Sequence, residues 1–204
     1  IGYPVNVFYG YQTDGIIQTS EEGIEAGLKG YEAEPGEFKF VDLSGNGEFD
    51  EADRAIVGDP NPDFTASLNI RLSYKNIDFG VFLNGVYGND VLETNLYNSP
   101  QYTPLRWTLD NRSNDFPRLR ESRLYYVSDW FIQDGSYLRI QNLNIGYTFK
   151  QIKNFQNSRI FLNVDNLYTF TKFKGYDPEV QLNGRYSGGF PRFRKITIGV
   201  ELTF

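Results

Sequence analysis

The stretch Lys195 to Phe204, KITIGVELTF, constrains this chain more than any other. Ile196, Ile198, Val200, Leu202 and Phe204 share one parity; Lys195, Thr197, Gly199, Glu201 and Thr203 share the other. Side chains alternate across a strand, so one face is wholly apolar and the opposite face polar. Two architectures accept such a ribbon. A soluble β-sandwich buries the apolar side in its core, and a β-barrel in a membrane turns it to lipid.

The same alternation recurs. In Phe64 to Tyr74 the residues Phe64, Ala66, Leu68, Ile70, Leu72 and Tyr74 face one way, with Thr65, Ser67, Asn69, Arg71 and Ser73 behind them. Lys75-Asn76 turns the chain, and Ile77, Phe79, Val81, Leu83 and Tyr87 repeat the apolar face, which predicts a tight hairpin. Tyr137 to Phe149 changes phase between Ile140 and Leu143, so a bulge is expected near Gln141-Asn142. Ile160, Leu162 and Val164 alternate after a turn over 150–157, and Tyr3, Val5, Val7, Tyr9 and Tyr11 suggest one more strand at the start. Within the first long connection, Ser20 to Glu25 reads as one helical turn and Glu37 to Val41 as a short strand. Thr103-Pro104 reads as the N-cap and first residue of a short helix running through Trp107. Pro35, Pro60, Pro62, Pro100, Pro104, Pro117, Pro178 and Pro191 all fall in or beside proposed loops, as residues that cannot donate to a strand ladder should.

Roughly six strands result, and their connections sort by side. The short ones (75–76 and 150–157) share one end, and the long ones (about 12–63, 88–136 and 169–191) share the other. Short turns on one side and long loops on the other are the pattern of outer-membrane barrels. A strand of about 11 residues at roughly 3.3 Å each, tilted about 40°, spans roughly 27 Å, close to the apolar band of such a barrel. The expected fold is therefore all-β: an antiparallel transmembrane β-barrel. Six strands do not close one, because the smallest use about eight and open edges in lipid are prohibitive. The expectation is that residues 1–204 form the C-terminal part of a larger barrel. The alternative is a secreted, calcium-stabilised β-sandwich that binds carbohydrate.

Composition narrows the function. The 15 Tyr and 17 Phe suit membrane interfaces, and carbohydrate-contacting surfaces equally. The chain has no His, which removes Ser-His catalysis and His-ligated metals within this segment, and no Cys, which removes thiol chemistry. No spacing singles out a carboxylate pair, so no enzyme is expected. A net charge of −6 argues against nucleic acid as a partner. There is no run of roughly 18 apolar residues. Ile1 to Gly10 lacks the basic start and apolar core of a signal peptide.

Four segments carry a family likeness: Gly58 to Phe64 (GDPNPDF), Ser128 to Arg139 (SDWFIQDGSYLR), Asn166 to Glu179 (NLYTFTKFKGYDPE) and Phe190-Pro-Arg192. In this order and spacing they resemble the C-terminal barrel of SusC-like TonB-dependent transporters of Bacteroidetes. The resemblance covers nearly the whole chain, and the family's plug domain has no counterpart in it. It implies an outer-membrane barrel of about 22 strands with a plugged lumen. It also implies import of oligosaccharides or oligopeptides beneath a SusD-like lipoprotein lid, driven through TonB, with outer-membrane lipid around the wall.

One stretch offers chemistry of its own. In Asp42 to Asp53 (DLSGNGEFDEAD), oxygen ligands recur at positions 1, 3, 5, 9 and 12: Asp42, Ser44, Asn46, Asp50 and Asp53. Glu48 supplies a backbone carbonyl at position 7, and Gly47 stands at position 6, where a sharp turn demands it. Ca2+ is the expected ion. Asp at position 12 makes the loop resemble the dockerin type, and Phe49 should anchor it to apolar surroundings. The competing reading is an Asx-rich turn held by its own side chains. In the loop after Gly88, Arg106, Arg112, Arg118, Arg120 and Arg123 are expected to pair with acids such as Asp110, Asp115 and Glu121, before contact with lipopolysaccharide or an acidic substrate. Trp107, Tyr125, Tyr126 and Trp130 are expected in loop packing or an aromatic girdle before sugar stacking. Asn69, Arg71 and Asn84 are expected to face a lumen.

Overall fold

The computed structural model describes residues 2–95, 99–119, 126–149, 157–188 and 190–203, with the side chain of Asn157 excluded. The strands are β1 (Phe8–Gly10), β2 (Thr13–Ile16), β3 (Phe38–Phe40), β4 (Ala55–Gly58), β5 (Phe64–Tyr74), β6 (Ile77–Tyr87), β7 (Asp90–Leu92), β8 (Ile132–Asp134), β9 (Tyr137–Phe149), β10 (Asn157–Thr171) and β11 (Lys195–Thr203). A single helical turn, α1, spans Ser20–Glu25. The chain divides into two compact units, one of residues 1–61, 90–133 and 180–188, the other of residues 62–89, 134–179 and 189–204.

The second unit is one antiparallel sheet of order β11-β10-β9-β6-β5, an up-and-down meander in which every neighbour in space is the next long strand in sequence. Register brings the alternation of separate strands into continuous rows. Leu72, Phe79, Ile145, Leu162 and Ile198 lie side by side, as do Ile70, Val81, Leu143, Val164 and Ile196. On the opposite face, Arg71, Gly80, Asn144, Asn163 and Thr197 form one row and Ser73, Asp78, Gly146, Phe161 and Gly199 another. A one-residue slip of any strand would move its apolar set to the polar face, so the rows fix the register.

Two irregularities keep the faces in phase. Phe82 pairs with Asn142 and Leu83 with Ile140, leaving Gln141 as the bulged residue where the sequence changes phase. On β10 the register shifts between Asp165 and Tyr168, and Asn166 adopts φ 51, a left-handed conformation that Asn tolerates. This second bulge carries β10 to Thr171, past the expected start of the loop at 169. At the hairpin, Tyr74 pairs with Ile77 across Lys75-Asn76, and Lys75 takes φ 56.

The apolar face of this sheet is open. Leu68, Leu72, Ile145, Ile160, Ile196, Ile198 and Val200 keep between 40% and 75% of their surface exposed. A sandwich requires that face to be covered by a second sheet, so the sandwich alternative fails on this observation. The 75–76 turn lies at the same end of the sheet as the end of β9, the start of β10 and the end of β11. The connections beyond Tyr87 and Thr171 leave from the opposite end. Residues 150–156 and Phe204 lie outside the described residues.

The core sits in the first unit. Its long connections fold on an aromatic cluster of Phe8, Tyr11, Phe38, Phe40, Trp107 and Phe131, with Ile16, Ile17, Leu28 and Leu92. Strands β1 and β4 pair, as do β2 and β3, and β7 with β8. The Thr19 hydroxyl accepts from the Glu22 N–H and caps α1, while the Glu22 carboxylate reaches back to the Gln18 N–H. The expected strand over Tyr3–Tyr11 shrinks to the three residues of β1, outside the five-stranded sheet. Asn6 turns at φ 67 and the alternation breaks: Phe8, of the other parity, is buried along with Tyr11, while Tyr3, Val5 and Tyr9 stay exposed. Five long strands are therefore present among the described residues, one fewer than expected. The short helix expected from Thr103 through Trp107 is instead a 3-10 segment, Pro100–Leu105, with Ser99 at its N-cap position and Pro104 inside it, ending before Trp107. No helix among the described residues is long and apolar enough to cross a membrane.

Candidate functional site

The acidic loop follows β3 and closes on itself. Asp42 is its hub. Its Oδ1 accepts the Gly45 N–H at 2.6 Å and the Ser44 hydroxyl at 3.1 Å, and its Oδ2 accepts the Gly47 N–H at 2.7 Å. Gly45 and Gly47 take φ 72 and 79, so the backbone curls around the carboxylate in a conformation that favours glycine. Asp53 is fully buried and accepts from the Ser44 N–H and the Asp50 N–H, both at 3.0 Å. Asp50 accepts from the Ala52 N–H and from the Asn46 amide, and Asn46 Oδ1 accepts the Glu48 N–H. The Glu48 side chain pairs with Lys29. Phe49 stacks on Phe40 at 4.6 Å and leans on Tyr11, the apolar anchorage expected of position 8.

The Gly47 N–H, followed by the Gly45 N–H, the Ser44 hydroxyl and the neighbouring Asp53 carboxyl, holds the Asp42 carboxyl below its usual range against a desolvation penalty. The loop thus brings Asp42, Ser44, Asn46, Asp50 and Asp53 into one hydrogen-bonded ring, with Glu48 at its edge. Among the described residues, no group of three or more His, Cys, Asp or Glu side chains is arranged to hold a metal ion. In the geometry present, the oxygens are satisfied by the loop's own donors.

The loop arginines and aromatics have structural partners. Arg118 bonds Glu37 at 2.8 Å and pairs with Glu34, acids more than 80 residues earlier in the chain, and not with Asp110 or Asp115. Arg106 is buried and Arg112 exposed; Arg120, Glu121, Arg123 and Tyr125 lie outside the described residues. Trp107 Nε1 donates to Gln18 Oε1, and Trp130 Nε1 donates to the Asp115 carbonyl. The Tyr126 hydroxyl donates to Glu32 at 2.6 Å; that bond, aided by burial, pushes its phenol well above the ordinary value. These rings serve loop packing.

The polar face of the sheet carries two bonded groups. Arg159 reaches across β9 to Asp78 at 2.5 Å and also donates to Asn144. The Asn142 amide donates to Asn163 and to Asp165. Gly146 lies under the Arg159–Asp78 pair, where a Cβ would collide with both partners. On the same face, in the row of Ser67, Asn84 and Thr169, stands Arg139, 3% exposed. It donates to Thr169 at 2.9 Å, to Glu179 at 2.8 Å and to Asp177 at 2.6 Å, and Arg192 bonds the same two acids from the far arm of the loop. Sequence reasoning assigned the four charged residues of this cluster no role. The signal was an arginine at a strand position whose neighbours are neutral, together with acids at 177 and 179.

Known proteins agree with this geometry. The chain is 35% identical to the TonB-dependent receptor P3 of Formosa agariphila over its whole length and 31% identical to the TonB-dependent receptor SusC of Bacteroides thetaiotaomicron, also over its whole length. This chain belongs to the SusC-like TonB-dependent receptors. It spans 22% and 20% of those two relatives. Solved structures of the RagAB peptide importer in closed-closed and open-open states superpose on the whole chain with TM-scores of 0.73 and 0.72 at 21% and 20% identity, covering 23% of the matched chain. That likeness shows the fold: the five-stranded sheet is a section of a barrel wall. No family model matches the chain.

The four segments that carry the receptor likeness are staples in this fold. Asp59 exchanges hydrogen bonds with Asp90, Asp129 Oδ1 accepts both the N–H and the hydroxyl of Thr13, and Asp177, Glu179 and Arg192 build the cluster on Arg139. Each ties an irregular connection to a regular element.

Proposed function

We propose that this chain forms part of the wall and extracellular loops of an outer-membrane importer of a Gram-negative bacterium. It takes up oligosaccharides or oligopeptides by TonB-dependent transport beneath a SusD-like lipoprotein lid. The observation that carries the reading is the single sheet with one open apolar face and one bonded polar face. Only a sheet set in lipid gains from leaving rows such as Leu72, Phe79, Ile145, Leu162 and Ile198 uncovered. Membership of the TonB-dependent receptors supports energised import, and the RagAB likeness favours testing peptides alongside glycans. No residue of the segment is assigned a catalytic role. The test is uptake of labelled oligosaccharides and oligopeptides by cells carrying the full-length protein, with and without a functional TonB. Import of either class that stops when TonB is disabled is the expected result. Recovery of the full-length protein as a soluble periplasmic monomer would overturn the reading.

For the loop of Asp42, Ser44, Asn46, Glu48, Asp50 and Asp53 we propose Ca2+. The buried Asp53 carboxylate beside that of Asp42 supports it, since a divalent cation relieves such a pairing. Binding draws on the lone pairs of the Ser44 hydroxyl and the Asn46 Oδ1, and the ion then stiffens an extracellular loop. Calcium-dependent protection of the full-length protein from cleavage near residue 45, lost in Asp42→Asn, is expected. Equal cleavage with calcium or chelator would leave the self-bonded turn as the whole role of the loop.

A further inference from the structure

The open face of the sheet is not uniform. Near the end from which the long connections leave, a groove of about 620 Å³ crosses β5, β6, β9 and β10, within the roughly 300–1,000 Å³ range of small-ligand sites. Register explains it. Ala66 and Gly85 lie directly opposite each other and continue into Leu138 and Phe170. The two small residues make a low floor. One wall is the stacked pair Phe64 and Tyr87, with ring centroids 5.3 Å apart, and the other is the edge-to-face pair Tyr168 and Phe170, 4.7 Å apart. All four rings are more than half exposed, so the walls stand up from the face.

The mouth of the groove is polar. Asp134, Ser136, Thr171 and Lys172 line it. Asp134 is engaged locally, its Oδ1 accepting the Ser136 N–H at 2.9 Å, and the Thr171 hydroxyl donates to the Ser136 carbonyl. Lys172 is exposed and makes no ion pair with any described residue. An aromatic-walled apolar trough ending at an uncommitted ammonium is complementary to a molecule with a long hydrocarbon chain and an anionic head.

We infer that this groove is a binding site for one acyl chain of lipopolysaccharide, with a lipid A phosphate on the Lys172 ammonium. The inference rests on the outer-membrane reading above, which puts the long-loop end in the leaflet where that lipid resides. The two aromatic pairs flank a low floor of Ala66 and Gly85, so they can grip a chain from both sides. The lysine supplies a point charge to a phosphate that the hydrocarbon face alone does not hold.

The test is native mass spectrometry of the full-length protein extracted from outer membranes in mild detergent, with bound lipid identified after release. Wild-type protein is expected to retain lipid A-bearing lipid. Ala66→Phe, which fills the floor, and Lys172→Glu, which reverses the charge at the mouth without touching the sheet, should each lower the retained fraction about tenfold. Leu72→Phe, on the same face near the hairpin, should leave it unchanged. Heat-modifiable migration of each variant reports separately that the barrel is built, so failure of the barrel reading and failure of the lipid site are distinct results. If Ala66→Phe does not assemble, Lys172→Glu decides alone. Equal retention by wild type and Lys172→Glu, or phospholipid in place of lipid A in the wild type, would overturn the inference.

Discussion

An arginine placed on the apolar face should be costly at mid-sheet and cheap near the rim. Leu143 stands in the middle row with Ile70, Val81, Val164 and Ile196, while Tyr147 lies four residues further along β9, opposite Ile77 at the hairpin end. Four residues at about 3.4 Å, tilted about 40°, amount to roughly 10 Å along the membrane normal. An apolar band about 25 Å tall has a half-height only slightly greater. Leu143→Arg therefore puts a guanidinium near the midplane, at a cost of about 2–4 kcal/mol, and Tyr147→Arg puts one near headgroup level, at about 0–1 kcal/mol. Thr197→Arg, at the same depth on the polar face, is the control and should be close to neutral. The assay is the midpoint temperature at which the folded, fast-migrating form of the full-length protein is lost in detergent, together with the amount assembled in outer membranes. The expected order of damage is Leu143→Arg, then Tyr147→Arg, then Thr197→Arg. If Leu143→Arg behaves like an ordinary solvent-exposed substitution, within about 0.5 kcal/mol of wild type, the apolar rows do not face lipid and the argument fails.

Other perturbations probe the remaining elements. Arg139→Gln removes the one buried member of the cluster and leaves the half-buried Asp177 and the exposed Glu179 to Arg192, a loss of about 1–3 kcal/mol; hydrogen exchange over 172–194 should accelerate, and unchanged exchange would dismiss the cluster as a staple. Gly146→Val should displace the Arg159–Asp78 pair and cost about 1–3 kcal/mol by overpacking, read as a lower unfolding midpoint than that of Gly80→Val, where a Cβ meets nothing closer than 3.8 Å. The lowered folded-state value of Asp42 means that its contribution is present above the unfolded value and lost as pH falls through the folded one. The acidic loop should therefore loosen only below the ordinary aspartate value of 3.8, with protease nicking near residue 45 rising there and not at neutral pH. Tyr126→Phe removes the hydrogen bond to Glu32 at a cost of about 1 kcal/mol, visible as a small fall in melting temperature with import intact.

What could be read from the chain divides along a physical line. The sheet was legible because a strand open to lipid on one side and polar on the other writes its period of two directly into the sequence, and the phase change between Ile140 and Leu143 located the bulge at Gln141. The same logic misfired at Tyr3 to Tyr11. That apparent alternation dissolves where Asn6 turns left-handed and Phe8, of the other parity, joins Tyr11 in the core. Periodicity sees one chain segment at a time, and the first unit is held by contacts between segments. Arg118 finds Glu34 and Glu37 more than 80 residues away, and in the second unit Arg139 likewise finds acids 38 and 40 residues on. No local spacing encodes such pairs.

The acidic loop is the intermediate case. Its spacing put Gly47 at the sharp turn and Phe49 against an apolar surface, and both are found there. Ligand spacing and Asx-turn spacing nonetheless ask for the same residues, since both curl a backbone around a carboxylate. Asp42 is bonded by Gly45 and Gly47 whichever role the loop performs. The discriminating groups are the Ser44 hydroxyl and the Asn46 amide. Each now points a donor at a carboxylate, Asp42 and Asp50 respectively, and each keeps oxygen lone pairs on which an ion would draw. Replacing Asn46 by Asp removes that donor. If the turn is purely self-bonded, the change leaves an added charge facing Asp50 and loosens the loop; if the loop binds Ca2+, it strengthens binding. The sign of the change in protease resistance with calcium present therefore separates the two roles.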